Sequence, residues 1–350
     1  MINLNNPNHI FVIAEAGSNW KVGTYSQDLK QAKKLIDTAK KSGADAIKFQ
    51  TYSSEGVYVS NAGKSNYLTK SGIKKKINDI FDENSMPHKM LKELYDYCKK
   101  KKIIFMSTAF SIKDAIEVDK FSIIHKIASY ELNHIPLLEY LAKTNKPIIL
   151  STGASTIEEI DFAIKILKKN GNSNISLLQC TASYPASIES LNLSVIPILK
   201  KKYKIPIGLS DHSTDPLVAP LVSIGLGATI IEKHFTLNKN LNGPDHYFAL
   251  EPNELDLMIK GIRNAERSKG QERKTITKDE QELRDFAVRS IQATRDIKKN
   301  EAFKLGENIE LLRSGNQKRG ADARFLKKIS GKKSKRSIKS GSGISLKDCN

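Results

Sequence analysis

Cysteine is scarce: Cys98, Cys180 and Cys349 are the three in 350 residues, far apart and without metal-ligand spacing. That excludes a disulfide scaffold or a zinc knuckle and leaves ordinary thiols of a reducing compartment. No apolar run reaches the roughly 18 residues that span a bilayer. The opening Met1-Ile2-Asn3-Leu4-Asn5-Asn6-Pro7 lacks the charged and apolar regions of a signal peptide, so a cytoplasmic protein with no membrane partner is expected. RNP signatures and aromatic-interleaved basic runs are missing, so no nucleic-acid partner is expected either. Acidic residues are outnumbered, 38 against 57 basic ones, giving a net charge of +19. Much of that excess is lysine on helix faces, as in Lys30-Gln31-Ala32-Lys33-Lys34 and Lys99–Lys102, which reads as solvated surface.

What is present has a repeated rhythm of short apolar strand, polar end and amphipathic helix. Phe11-Val12-Ile13-Ala14 ends in Glu15, and a helix over roughly Gln27–Lys41 sets Leu29, Ala32, Ile36 and Ala39 on one face. The strands Ala46–Gln50, Ile103–Met106, His125–Ala128, Pro147–Leu150 and Ile175–Leu178 follow, then Pro206–Leu209 and Ala228–Ile231. About eight strands over about 270 residues predict a (β/α)8 TIM barrel. An open doubly wound sheet is the rival, but Ala16-Gly17-Ser18-Asn19 supplies no Gly-x-Gly-x-x-Gly turn. The stretch Tyr52–Met86 is long for a loop and falls on the side where such barrels keep their chemistry. The last barrel helix is expected at Asn253–Ser268. The predicted division is a barrel over 1–270, a charged linker over 271–285 and a small, mostly β domain over 286–350. That last region carries 17 basic and 6 acidic residues, a net of +11.

Two strands end in histidine: Ser210-Asp211-His212 and Glu232-Lys233-His234. Gly243-Pro244-Asp245 follows as a turn carrying a carboxylate. Two imidazoles beside a carboxylate can hold a divalent metal with open positions. Residues two apart on a strand share a face, so Lys48 pairs with Gln50, Ser210 with His212, and Glu232 with His234. A lysine inside a barrel is costly to bury unless it meets an anion. Lys48 and Lys126, with hydroxyls at Thr108, Ser129, Ser151 and Ser210, outline a phosphate or carboxylate pocket. Lys48, Lys126 and Lys233 are also Schiff-base candidates, although Lys233 points away from Glu232 and His234. Glu15 is either a proton-transfer group or a structural cap.

Taken together, the chain resembles the sialic acid synthase family. The carriers are Ile13–Asn19, Lys48-Phe49-Gln50-Thr51, Ser107–Phe110, Lys126–Glu131, Ile149–Gly153, Gln179–Pro185, Gly208–His212 and Glu232–Thr236. Residues 286–350 resemble the family's antifreeze-like (SAF, β-clip) domain, through Phe325-Leu326, Gly331-Lys332-Lys333 and Ile344–Asp348. The resemblance implies a synthase that condenses phosphoenolpyruvate with an N-acetylated hexose and releases phosphate by C–O cleavage. It implies that His212 and His234 hold Mn2+, Mg2+ or Co2+. Lys48, Thr108, Lys126, Ser129, Ser151 and Ser210 would grip phosphoenolpyruvate, while Gln50, Tyr184, Asp245 and Glu232 would face the sugar or the metal. Catalytic roles fall to Glu15, Glu232, His234 and Arg313. In the family the arginine aligned with Arg313 reaches the sugar from the partner subunit, which implies a homodimer with exchanged C-terminal domains. Three positions near the sugar depart from the family pattern: Trp20 replaces a usual histidine, Ser314 a proline, and Ser183 an asparagine. Ala128–Glu131 and Cys180–Pro185 lean toward the pseudaminate branch over the N-acetylneuraminate one. The competing readings are an imine-forming barrel aldolase and a basic RNA-binding protein using residues 286–350.

Overall fold

Alternation along each strand decides what lines the barrel. In β1 (Phe11–Gly17), Phe11, Ile13 and Glu15 face one way and Val12, Ala14 and Ala16 the other. The second set packs into a large core shared with helices such as Tyr25–Ser42 and Pro252–Ser268. The first set points inward. There Phe11 and Ile13 meet Ala46, Met106, Ile149, Leu178 and Ile230 in a small apolar plug. Moving two residues toward the carboxyl end of each strand replaces this plug by Glu15, Lys48, Thr108, Lys126, Ser151, Ser210 and Glu232, all buried. The barrel interior is thus apolar below and ionised above, the layered filling of this architecture.

The computed structural model describes residues 3–6, 8–65, 74–270 and 273–350. Eight parallel strands close in chain order: β1, β2 (Ala46–Thr51), β3 (Ile104–Ala109), β4 (His125–Ile127), β5 (Ile148–Ser151), β6 (Ile175–Cys180), β7 (Ile207–Asp211) and β8 (Ile230–His234). Closure pairs Phe11 with Ile230 and Glu15 with His234 across β1 and β8. Leu4 seals the lower end, its carbonyl accepting from the Thr229 hydroxyl at 2.9 Å. Gly208 in β7 is required by close approach, since a Cβ there would lie 2.3 Å from the Ile230 carbonyl oxygen. The stretch Tyr52–Met86 is not simply a loop: it contains the helices Ser54–Val57 and Ile77–Glu83, and its residues 66–73 lie outside those described. No helix among the described residues is long and apolar enough to cross a membrane.

The chain divides into two compact units, Met1–Gly270 and Gln271–Asn350. Of the expected linker, 271–272 lie outside the described residues, and a helix, Gln281–Ala287, begins within its far end. The second unit has its own core of Ile291, Phe303, Ile309, Ile329, Ile338 and Ile344. Its described regular sheet is one antiparallel pair, β9 (Arg289–Ala293) and β10 (Ile309–Arg313). Isolated bridges, such as Ile297 to Ile338, join much of the rest.

Candidate active site

The ionised layer is a network rather than a set of separate side chains. Lys48 Nζ lies 2.6 Å from Glu15 Oε2 and 3.8 Å from Glu232 Oε2, and it donates to Thr108 Oγ1 at 2.9 Å. Lys126 Nζ donates to Ser151 Oγ at 2.7 Å and sits 3.5 Å from Glu232 Oε1. The Ser210 hydroxyl donates to the same Glu232 oxygen at 3.1 Å. Gln50 Nε2 donates to Glu15 Oε1 at 3.1 Å. Two lysines and two glutamates therefore neutralise each other in a site shut off from bulk water, where an unpaired charge is expensive.

Their proton affinities diverge accordingly. Burial raises Glu15 to about 7, and the Glu232 charge adds to this while Lys48 and Lys126 oppose it. Burial would raise Glu232 too, but Lys126 and Lys48 outweigh it and its pKa falls. For Lys48 the balance is reversed: burial disfavours the cation, yet Glu15 and Glu232 hold its pKa above the ordinary value. Burial, reinforced by the like charge of Lys48, leaves Lys126 lowered despite Glu232. The layer thus offers one carboxyl poised to exchange a proton near neutrality and one that stays ionised.

The two histidines stand just above, with ring centroids 5.6 Å apart. The His212 Nδ1–H donates to the Thr181 carbonyl at 2.8 Å, so that the neutral ring keeps its lone pair on Nε2. A longer contact, 3.9 Å, joins the same nitrogen to Cys180 Sγ. Burial works against a charged His212, but Cys180 and the Thr181 carbonyl outweigh it and raise its pKa. For His234 burial prevails, aided by the charge of His212, and its pKa is driven well down. His234 Nδ1 is buried with no hydrogen-bond partner. Among the described residues no group of three or more His, Cys, Asp or Glu side chains forms a ready metal cage. What the pair does fit is two neutral imidazole ligands with the remaining positions open, one ring already oriented by a backbone carbonyl.

Gly17 explains how a third group arrives. A bulge between Glu15 and Gly17 shifts the register of β1 against β2, and Gly17 adopts φ +51°. A Cβ there would lie 2.7 Å from Asp245 Oδ2, 3.4 Å from His234 Cε1 and 3.5 Å from Glu15 Oε1. The missing side chain is the space on which these three converge. Asp245 Oδ2 accepts from the Ser18 hydroxyl at 3.0 Å and the Ser18 N–H at 3.3 Å. Burial nevertheless leaves its pKa raised. Tyr184 stacks on His212 at 4.1 Å between centroids, and Phe248 packs 5.1 Å from His234.

Most residues expected from sequence thus meet at one end of the barrel. Ser129 is also at a strand end, its Oγ accepting from Gly153 N–H at 2.9 Å. Lys233 faces the other way, its Nζ 2.5 Å from Asp211 Oδ2. Arg313 belongs to the second unit, exposed at the end of β10. Trp20 is buried and packs in the large apolar core between strands and helices. Ser314, at the usual proline, donates from its hydroxyl to the Asp285 carbonyl at 2.6 Å and so ties its turn to the preceding helix. Sequence reasoning missed Ser18, Cys180, His246 and Phe248. Glu131, also not singled out, is raised to about 7 by burial.

The model of the NeuB family matches residues 35–274. The chain belongs to that family, the sialic acid synthases. It is 40% identical over 351 residues to the spore coat polysaccharide biosynthesis protein SpsE of Bacillus subtilis, covering 96% of this chain and 92% of that one. Two Campylobacter jejuni synthases are also similar. The N,N'-diacetyllegionaminic acid synthase is 39% identical, with 87% of this chain and 90% of that one covered. The pseudaminic acid synthase is 34% identical, with 99% and 98% covered. Among solved structures, the N-acetylneuraminic acid synthetase of Leptospira borgpetersenii superposes with a TM-score of 0.70 at 34% identity, covering 79% of this chain and 91% of that one.

Proposed function

We propose that this member of the family is a nonulosonate synthase that joins phosphoenolpyruvate to an N-acetylated hexose of the pseudaminate or N-acetylneuraminate type. The observation that carries this reading is the buried layer of Lys48, Lys126, Glu15 and Glu232 directly beneath the His212–His234 pair. The lysines, with the hydroxyls of Thr108, Ser129, Ser151 and Ser210, suit an anion carrying both carboxylate and phosphate. Asp245, Tyr184 and Gln50 line the side left for the sugar. A divalent cation (Mn2+, Mg2+ or Co2+) held by His212 and His234 would supply Lewis-acid polarisation of the open-chain sugar's aldehyde.

In this reading C3 of phosphoenolpyruvate bonds to the aldehyde carbon, and the aldehyde oxygen takes up a proton to become a hydroxyl. Water adds at C2, giving up a proton; the C2–O bond to phosphate then breaks as the new C2 hydroxyl becomes a ketone, its proton leaving with the phosphate. Glu15, with a pKa of about 7, is suited to take and return the proton that water gives up. Glu232 stays ionised and steadies the positive charge developing at C2. The second unit, read as an antifreeze-like (SAF, β-clip) domain, would bring Arg313 to the barrel of a second protomer in a homodimer with exchanged domains.

One observation favours an imine-forming aldolase instead, the lowered pKa of Lys126. Yet Lys126 Nζ already donates to Ser151 and lies 3.5 Å from Glu232, which leaves it placed as a charge. The deciding experiment follows phosphate release from phosphoenolpyruvate against a panel of N-acetylated hexoses. Release is expected with one or a few of them, lost on chelation and restored by Mn2+, Mg2+ or Co2+. Borohydride trapping of a substrate with indifference to chelators would overturn the synthase reading.

A further inference from the structure

The segment that follows β8 leaves the barrel and returns to its own starting point. Phe235 and Leu250 form a parallel bridge, Thr236 N–H donates to the Leu250 carbonyl at 2.8 Å, and Leu250 N–H donates to the His234 carbonyl at 2.9 Å. The residues between make a closed loop of the Ω kind, packed by its own side chains. Three of them form a wall of the site: Asp245 against Ser18, Phe248 against His234, and Tyr247, whose hydroxyl donates to the Tyr184 carbonyl at 2.5 Å.

The filling of this loop is His246, which is 0% exposed. Its Nδ1 lies 2.6 Å from Thr236 Oγ1, at the opposite end of the loop. The threonine hydroxyl also lies 3.3 Å from the Asn238 carbonyl and accepts from the Asn238 N–H at 3.3 Å, so it joins His246 to the first turn of the loop. Burial pushes the His246 pKa down to about 4, which keeps the ring neutral. The ring edge occupies the room left by Gly243, where a Cβ would lie 2.7 Å from His246 Cδ2. Gly243, His246 and Thr236 together therefore fold the turn that carries Asp245. None of the three is among the groups placed against substrate.

We propose that Thr236 and His246 are positioning residues, a latch that holds Asp245 against Ser18 and so sets the sugar side of the site. The proposal rests on the reading above, in which Asp245 faces the acceptor. The two are separated by a measurement that needs no turnover. Thr236→Val removes the hydroxyl and little else. Deuterium uptake by peptides within 236–250 should rise in this variant, while uptake in β1–β7 stays as in the wild type.

With turnover, Thr236→Val should raise the KM for the accepted hexose about fivefold, the effect of losing one buried hydrogen bond. The affinity for phosphoenolpyruvate, measured by calorimetry, should stay within about twofold. Thr236→Ser, which restores the hydroxyl, should recover both the hexose KM and the deuterium pattern. Thr236→Val combined with Asp245→Asn should be no worse for hexose KM than Asp245→Asn alone, because the latch acts through Asp245. Unchanged deuterium uptake in Thr236→Val overturns the latch, whatever reaction the enzyme catalyses. So does an equal loss of phosphoenolpyruvate and hexose binding, or a failure of Thr236→Ser to rescue. A wild-type protein that releases phosphate with no hexose overturns the reaction assigned above and leaves the deuterium experiment to decide the latch.

Discussion

Glu15 is a carboxyl whose surroundings oppose its charge. Its folded pKa of about 7 lies above the ordinary 4.5. The folded chain therefore holds this proton more tightly than the unfolded chain does. The stability it contributes is complete below about pH 4.5 and is lost as pH rises through about 7. Glu15→Gln keeps an uncharged group of the same shape at every pH. Its melting temperature should match the wild type near about pH 5 and exceed it at about pH 8, a difference that grows across that window. Thermal unfolding at a series of pH values checks this, and an offset that does not change with pH would contradict it. Lys48, Gln50, Glu232 and His234 could be found in the sequence because two-residue alternation carries polar groups onto an otherwise apolar face. Ser18 could not: its partner Asp245 is 227 residues away, and nothing local marks a serine as the anchor of a distant carboxylate. Cys180 was hidden for another reason, since an apolar strand ending in cysteine looks like ordinary core.

At the scale of elements, the strands were visible as apolar runs with polar ends, while the helix starts are set by side-chain caps that the periodicity alone does not show. Thr156 and Glu159 form such a reciprocal cap, with Thr156 N–H donating to Glu159 Oε2 at 2.7 Å and Glu159 N–H to Thr156 Oγ1 at 3.3 Å. Boundaries were less visible. β4 stops at Ile127 because Ser129–Glu131 turn into a 3-10 helix, a change no pattern of hydrophobicity announces. Nor does composition reveal that Tyr52–Met86 contains helices, since Ser54–Val57 is a single turn. β7 and β8 approach closely at Gly208. Gly208→Ala should destabilise the protein by about 1–3 kcal/mol, because the new methyl meets backbone that cannot move aside. The midpoint of urea unfolding measures this, and a midpoint equal to wild type would show that β8 yields. Register between these strands also aligns Asp211 with Lys233, the residues just before the two histidines.

For the whole molecule, the chain divides at Gly270 into two units, each with its own core, while the compositional change read from the sequence lies further on, near residue 286, with +11 of charge beyond it. If Arg313 acts on the barrel of a second protomer, two inactive chains can repair each other. Mixing Arg313→Ala with His212→Ala chains gives a heterodimer in which one site bears both lesions and the other neither. Activity should return to about a quarter of wild type for random pairing. No recovery, with heterodimers demonstrated by native mass spectrometry, would place the arginine's action within its own chain or nowhere. The seam between β1 and β8 has a consequence for synthesis. Phe11 leaves the ribosome long before its neighbour Ile230. Until β8 arrives, the sheet is an open ribbon with bare hydrogen-bonding edges at both sides and an apolar face ready to join another nascent chain. The same delay falls on the site, because Glu232 and His234 ride on the last strand. Premature termination before that strand would yield a sticky, siteless fragment rather than a weak enzyme, and the cell's chaperones and proteases would meet it first.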